Sequence, residues 1–310
     1  MEERKSILQN LSFRKFFTFD FILSMCYNIP MAKIILRDYQ VNAVKFALNV
    51  PRSVFCMRVG SGKTICAMFT LRELFKQKFI DKAVVACTKS SVSVFREDFK
   101  DKANLKVRLI EDETEFINFL KGDERVCLVK HSMFEKLGND AIMIAELQKL
   151  DKQNLNVALV IDEAHKIQNP DGVTHEAFMR IADFFSNIYL YTATPYSSCL
   201  SQFYGLIHLI YPHLWKSKAE FFRNYIDEIT IKDPRTYRVV RKEKVRYKNL
   251  KEFREKIEPF TYFYYPSIPL VYIEHHTRLE DYEEYDDLCK GVLDEETIAK
   301  IKKRMKDSES

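Results

Sequence analysis

From residue 32 onward the chain alternates short apolar runs with longer amphipathic stretches. The runs at Ser53–Met57, Ala83–Cys87, Lys106–Ile110, Val126–Lys130, Val157–Asp162 and Ile188–Thr192 are rich in β-branched residues and predict strands. Between them, apolar spacing predicts helices over Val41–Val50, about 63–78, about 91–101, Phe116–Leu120, Ala141–Leu150 and Glu176–Phe185. This alternation predicts β-α-β units with right-handed crossovers, hence an α/β fold with a parallel sheet buried on both faces. Ligands of such sheets sit at the carboxyl ends of the strands. Four polar clusters fall there: Gly60–Thr64, Thr88–Ser91, Asp162–His165 and Thr192–Pro195.

The pattern changes after residue 199. Leu200–Ile210 reads as a helix with aromatic content. Residues 216–256 are densely charged, with basic residues from Lys216 to Lys251 interleaved with Tyr225, Tyr237 and Tyr247. Ile229–Lys232 and Arg238–Tyr247 flank Asp233-Pro234-Arg235, which predicts a hairpin. Basic residues among aromatics suit a nucleic-acid surface. A solvated hairpin face is an equal reading. The C-terminal stretch is charged and reads as a helix that frays over Lys306–Ser310. At the other end, Phe16–Leu23 is apolar and follows Arg14-Lys15. Asp20 interrupts it and no small-residue cleavage site follows, so a packed accessory helix fits better than a secretion signal. The run is too short to span a bilayer.

Composition narrows the classes. At 310 residues and 46% hydrophobic content, the chain can bury a sizeable core. A net charge of +5 permits nucleic-acid binding without demanding it. The cysteines, at 26, 56, 66, 87, 127, 199 and 289, form no Cys-x-x-Cys pair and no metal-ligand spacing. Cys56, Cys87 and Cys127 lie inside apolar runs, as buried thiols of a reducing compartment do.

The chemistry centres on Val54–Thr64. An apolar run turns through Gly60-Ser61-Gly62 into the helix-favouring stretch after Lys63-Thr64. Glycines let backbone N–H groups approach a phosphate, and the helix N-terminus adds partial positive charge. Lys63 is placed to reach β- and γ-phosphates, and the Thr64 hydroxyl to ligate Mg²⁺. Met57 stands where the full G-x-x-x-x-G-K-[ST] pattern has glycine. The second centre is Asp162-Glu163-Ala164-His165 after Val157–Ile161. Asp162 is the expected holder of Mg²⁺, and Glu163 the residue that orients and deprotonates the attacking water. His165 is placed to bridge to Thr192 or Thr194.

Taken together, these motifs resemble the N-terminal RecA-like lobe of a Snf2-like superfamily 2 helicase over about residues 32–288. Tyr39-Gln40 resembles the Q motif, whose Gln reads the adenine edge. Gly60–Thr64 resembles motif I, and Cys87-Thr88-Lys89-Ser90 resembles motif Ia, which touches DNA phosphates. Val129–Phe134, with His131 and Ser132, resembles the segment lining the DNA track. Asp162–Asn169 resembles the DEAH form of motif II, and Thr192-Ala193-Thr194-Pro195 resembles motif III. Leu250–Phe260 resembles the helix and Pro-Phe that lead out of lobe 1, and Tyr272–Leu288 the segment entering lobe 2. Two departures stand out: Met57-Arg58 replaces an acidic pair, and Ala193 replaces the Gly of Thr-Gly-Thr. Motifs IV to VI, which supply arginine fingers, have no counterpart in the sequence.

The resemblance implies an N-terminal extension at 1–31, a RecA-like P-loop lobe at 32–215, a charged accessory segment at 216–270 and the start of an absent second lobe at 271–310. It implies ATP and Mg²⁺ as cofactors, duplex DNA as a partner, a second RecA-like lobe on another or longer chain, no membrane, and a cytoplasmic or nuclear location. The complete motor is expected to couple ATP hydrolysis to movement on DNA, with weak turnover by this chain alone. A nucleic-acid-binding or regulatory half-motor without turnover is the alternative. A restriction or RNA-directed helicase motor is a third reading, disfavoured by resemblance at Lys166–Asn169.

Overall fold

The computed structural model describes residues 36–103, 106–195, 200–232 and 239–264. Chain contacts define two units, Met1–Pro266 and Ser267–Ser310, and every described residue lies in the first. The expectations for the N-terminal extension, for Tyr272–Leu288 and for the C-terminal helix lie outside the described residues.

The chain order is α1 (Asp38–Asn49), β1 (Arg52–Met57), α2 (Lys63–Lys76), β2 (Lys82–Cys87), α3 (Val92–Ala103), β3 (Val107–Leu109), α4 (Glu113–Lys121), β4 (Val126–Lys130), α5 (Met133–Asn139), α6 (Ala141–Asp151), β5 (Val157–Ile161), α7 (Val173–Ile181), β6 (Asn187–Thr192), α8 (Leu200–Ile210), α9 (Lys218–Tyr225), β7 (Ile226–Lys232), β8 (Val239–Tyr247), α10 (Leu250–Ile257) and β9 (Thr261–Tyr264). Seven strands form one sheet in the order β3-β4-β2-β5-β6-β1-β9, and every pairing in it is parallel. The hairpin predicted from the charged segment is present as the antiparallel pair β7–β8.

The alternation of side chains divides the core in two. Val54, Cys56, Val84, Ala86, Leu159 and Ile161 face one layer. Their neighbours Phe55, Met57, Val85, Cys87, Ala158 and Val160 face the other. A period of two along strands covered on both faces explains why they read as unbroken apolar runs.

Among the elements that the sequence pattern does not predict are α5, α9 and β9. The expected DNA-track segment contains α5, which buries Met133, Phe134, Leu137 and Gly138. β9 pairs with β1 from Val54↔Thr261 to Met57↔Tyr264. The sheet therefore includes Thr261–Tyr264, residues that the expected boundary at 215 places in the charged accessory segment. Backbone hydrogen bonding along the edge of β1 recruits them despite their charged surroundings.

Close helix packing brings α8 against the chain that follows β5. A Cβ built on Gly205 of α8 would lie 1.5 Å from the Gln168 carbonyl oxygen. Backbone cannot yield as a flexible side-chain tip does. Gly205→Ala is expected to lower stability by roughly 3 kcal/mol or more, read by chemical denaturation. An unchanged denaturation midpoint would contradict this packing.

Candidate active site

The loop after β1 takes its shape from two glycines in the left-handed region, Gly60 (φ 77°) and Gly62 (φ 79°). This explains the tolerance for Met57: that residue still belongs to β1 and is fully buried, so the left-handed turn falls three residues later, at Gly60. Ser61 closes the loop on itself, its hydroxyl donating to the Arg58 carbonyl at 2.6 Å. Gly62 is the N-cap of α2 and offers no side chain. The first-turn N–H groups of a helix have no intrahelical partner, so the turn carrying Lys63 and Thr64 is suited to an anion.

Gln40 grips this loop from α1. It is nearly buried, its Nε2 donates to the Ser61 carbonyl at 3.0 Å, and its Oε1 accepts from the Arg37 N–H at 3.0 Å. A Cβ at position 62 would meet Gln40 Nε2 at 2.4 Å, so a side chain there would displace the Gln40 amide from the loop, besides being strained by the left-handed φ. The neighbouring Tyr39 ring lies flat on Tyr264, centroids 3.7 Å apart and planes within 10°.

Asp162 follows β5 and extends its ladder, the N–H donating to the Ala86 carbonyl at 2.9 Å. Its carboxyl is pushed up to about 6, first by burial and then by the Glu163 charge; Lys63 opposes the rise. The Lys63 charge thus favours the ionised form of Asp162. Between β5 and β1 lies β6, whose Thr192 pairs with Cys56 of β1.

Glu163 adopts a left-handed backbone (φ 50°, ψ 48°), a conformation that costs a non-glycine residue on the order of 1 kcal/mol. The turn carries its carboxylate to His165, 3.2 Å from Nδ1. Thr192 Oγ1 lies 3.4 Å from the same nitrogen and accepts the Thr194 N–H at 3.1 Å. His165 therefore lies between the Glu163 carboxylate and the Thr192 hydroxyl.

Three histidines brace this turn: His131, expected from the sequence at the DNA track, and His175 and His208, which the sequence reading leaves aside. His131 Nε2 lies 2.8 Å from the Asp162 carbonyl, so that nitrogen carries the proton, and burial lowers the pKa of the ring. His175 of α7 donates from Nδ1 to the Ile167 carbonyl at 2.9 Å. Its Nε2 must then accept from His208 Nδ1 of α8, also at 2.9 Å. Burial pushes His175 down to about 4, so this chain of bonds runs through neutral rings.

The residues expected to touch nucleic acid share one rim. β2 and β4 pair through Cys87↔Lys130, which places Thr88 beside His131 at the strand ends. Thr88 Oγ1 holds the Ser90 and Ser91 hydroxyls at 2.9 and 2.8 Å, while Lys89, Ser90 and Ser132 are exposed.

Thr64 and Asp162 fit an Mg²⁺ ion, which takes one or two protein oxygens and fills its octahedron with water and phosphate oxygens. The raised carboxyl of Asp162 fits the same reading, since a cation beside it would restore the charged form. Among the described residues no cluster of three or more His, Cys, Asp or Glu offers a closed metal cage, and no helix is long and apolar enough to cross a membrane.

A stability test follows from the sign of the Asp162 shift. The carboxyl titrates near 6 in the folded chain rather than near its ordinary 3.8, so the cost of its charge is absent at pH 4 and fully present at pH 7. In metal-free buffer, Asp162→Asn is expected to raise stability at pH 7 by up to about 3 kcal/mol, with the gain vanishing towards pH 4. Melting curves across that range check it; a gain independent of pH would contradict the buried charge.

The sequence model of the family described as type III restriction enzyme, res subunit, matches residues 33–197, more than half of the chain. DNA repair protein rhp54 of Schizosaccharomyces pombe is 26% identical over 223 residues, covering 63% of this chain and 25% of that protein. The RAD54-like DNA repair and recombination protein of Drosophila willistoni is 23% identical over 220 residues, covering 64% and 27% respectively. The chain thus spans about a quarter of the length of these curated relatives. Among solved structures, the Sulfolobus solfataricus SWI2/SNF2 ATPase core in complex with dsDNA shares the fold with a TM-score of 0.54 at 17% identity, covering 76% of this chain and 45% of that one. The chain belongs to the family described as the res subunit of type III restriction enzymes, and its fold is the N-terminal RecA-like lobe of a Snf2-like superfamily 2 helicase.

Proposed function

We propose that this chain is the ATP-binding half of a DNA-dependent ATPase and translocase. The observation that carries the reading is the loop with Gly60 and Gly62 in the left-handed region, capping the helix that begins at Lys63, in one sheet with β5, which leads into the buried Asp162 and the left-handed Glu163. Lys63 and the first-turn N–H groups of α2 bind the phosphates. Thr64 and Asp162 hold Mg²⁺, which when bound neutralises charge on the phosphate oxygens. Glu163 orients and deprotonates the attacking water, and His165 holds the Glu163 carboxylate and links it to Thr192. Thr88, Lys89, Ser90, His131 and Ser132 face duplex DNA along the strand-end rim. A second RecA-like lobe, on another or longer chain, completes the motor. The buried free thiols Cys56, Cys66, Cys87 and Cys127 support a reducing location, cytoplasmic or nuclear.

A second reading, a nucleic-acid-binding half-motor without turnover, draws on the engagement of Glu163 by His165. ATPase rates and nucleotide affinity, measured with and without duplex DNA, separate the two. Lys63→Ala is expected to weaken ATP binding at least about tenfold, and Glu163→Gln to preserve binding while lowering DNA-stimulated turnover about 100-fold or more. Binding lost in Lys63→Ala without any turnover in the parent chain favours the second reading. Turnover unaffected by either substitution overturns the assigned site.

A further inference from the structure

We propose that Tyr264 is a built-in competitor for the base of the nucleotide, occupying the face of Tyr39 on which the adenine ring stacks. The inference rests on the ATP reading above and concerns the end of the site away from the phosphates.

Tyr39 belongs to the first turn of α1, one residue before Gln40, whose amide grips the phosphate loop. Its backbone carbonyl accepts the Tyr262 hydroxyl at 2.8 Å, which ties that turn to β9. Tyr39 is thus a fixed aromatic platform beside the loop. Tyr264 covers it with centroids 3.7 Å apart and planes within 10°. That is full face contact. A flat ring admitted between the two would need them separated by about twice that spacing. The base reaches Tyr39 only by taking the place of the Tyr264 ring.

Tyr264 is the partner built to give way. It is the last residue of β9, which among the described residues is an edge strand paired with β1 alone. Its ring is half-exposed, and its backbone is held independently of the ring, its carbonyl accepting the Arg58 N–H at 3.2 Å. The side chain can swing to solvent while β9 and the loop keep their hydrogen bonds. Phosphates alone make no use of the platform, so the competition acts on nucleotides and not on a bare polyphosphate chain.

The two tyrosines therefore have opposite effects on ATP. Tyr39→Ala removes the platform and weakens ATP binding. Tyr264→Ala removes the competitor and strengthens it by roughly 2- to 10-fold, the range of one aromatic stack. Tyr264→Phe keeps the stack and leaves affinity near that of the parent chain. Binding of ATP and of inorganic tripolyphosphate to the full chain, by calorimetry, gives the comparison, with tripolyphosphate expected to be insensitive to all three substitutions. Tyr264→Trp supplies a direct reading, because the chain's single native tryptophan, Trp215, is buried and gives a constant background. Its emission is expected to shift with ATP and not with tripolyphosphate. Weaker ATP binding in Tyr264→Ala would make that ring a second wall of the slot and overturn the competitor role. Equal ATP affinity in Tyr39→Ala and Tyr264→Ala, with binding still dependent on Lys63, would move the base elsewhere and overturn the inference alone. Absence of Lys63-dependent binding of either ligand overturns the inference together with the reading beneath it.

Discussion

The site depends on one constraint, the burial of a parallel sheet on both faces. Within such a sheet every backbone polar group is satisfied by the ladder and every side chain is committed to one of two apolar layers. Charged chemistry is admitted only where strands stop. β5 shows how abruptly this happens: Ile161 is fully buried core and Asp162, the next residue, carries the carboxylate. Glu163 then leaves the strand direction through a left-handed turn, a conformation that β-branched residues, common in the strand itself, adopt poorly. The raised Asp162 carboxyl has its cause in this boundary, where burial and the neighbouring Glu163 charge both disfavour its ionised form.

Such a turn keeps its geometry only if its surroundings over-determine it. Here three directions converge on it. His131, after β4, holds the Asp162 carbonyl; His175 of α7, itself bonded to His208 of α8, holds the Ile167 carbonyl; and Gly205 lets α8 approach the Gln168 carbonyl. The His131 and His175 bonds engage backbone carbonyls, so the path of the chain through Asp162 to Ile167 is held apart from the pairing of the Glu163 carboxylate with His165. The phosphate loop is held in a comparable way by Gln40 through Ser61. A catalytic arrangement benefits from supports of this kind, because small displacements of reacting groups have large effects on rate.

What the sequence revealed follows from the same physics. Strands β1, β2, β4, β5 and β6 were legible because burial on both faces leaves an unbroken apolar signature, and the phosphate loop because two of the chain's few glycines sit in it. β9 was not legible. Thr261–Tyr264 is short, partly exposed and follows a densely charged segment, and its strand character comes from the free edge of β1. α5, at seven residues, is too short for a clear helical period. His175 and His208 were missed for a different reason. Each lies on an amphipathic helix where a lone histidine reads as ordinary, and only the packing of α7 against α8 joins them. The family match to a restriction-enzyme subunit also restores weight to a reading that Lys166–Asn169 alone disfavoured.

The loop and the acidic turn come from strands that do not touch, β1 and β5, with β6 between them. The end of β6 lies between the two halves of the site. Thr192 sits there, paired by its strand to Cys56 on one side and near His165 on the other. Thr192 also accepts the Thr194 N–H, so the chain leaving β6 is tied to the same hydroxyl. Any shift of Glu163 that changes its hold on His165 alters what remains for Thr192. The substitution of Ala193 for the expected glycine leaves this arrangement intact, since the contacts use the hydroxyl of Thr192 and the backbone of Thr194, and neither requires glycine between them. In this lobe Glu163 and Thr192 meet at one His165 nitrogen, so the acidic turn and the chain leaving β6 share a single hydrogen-bonding atom.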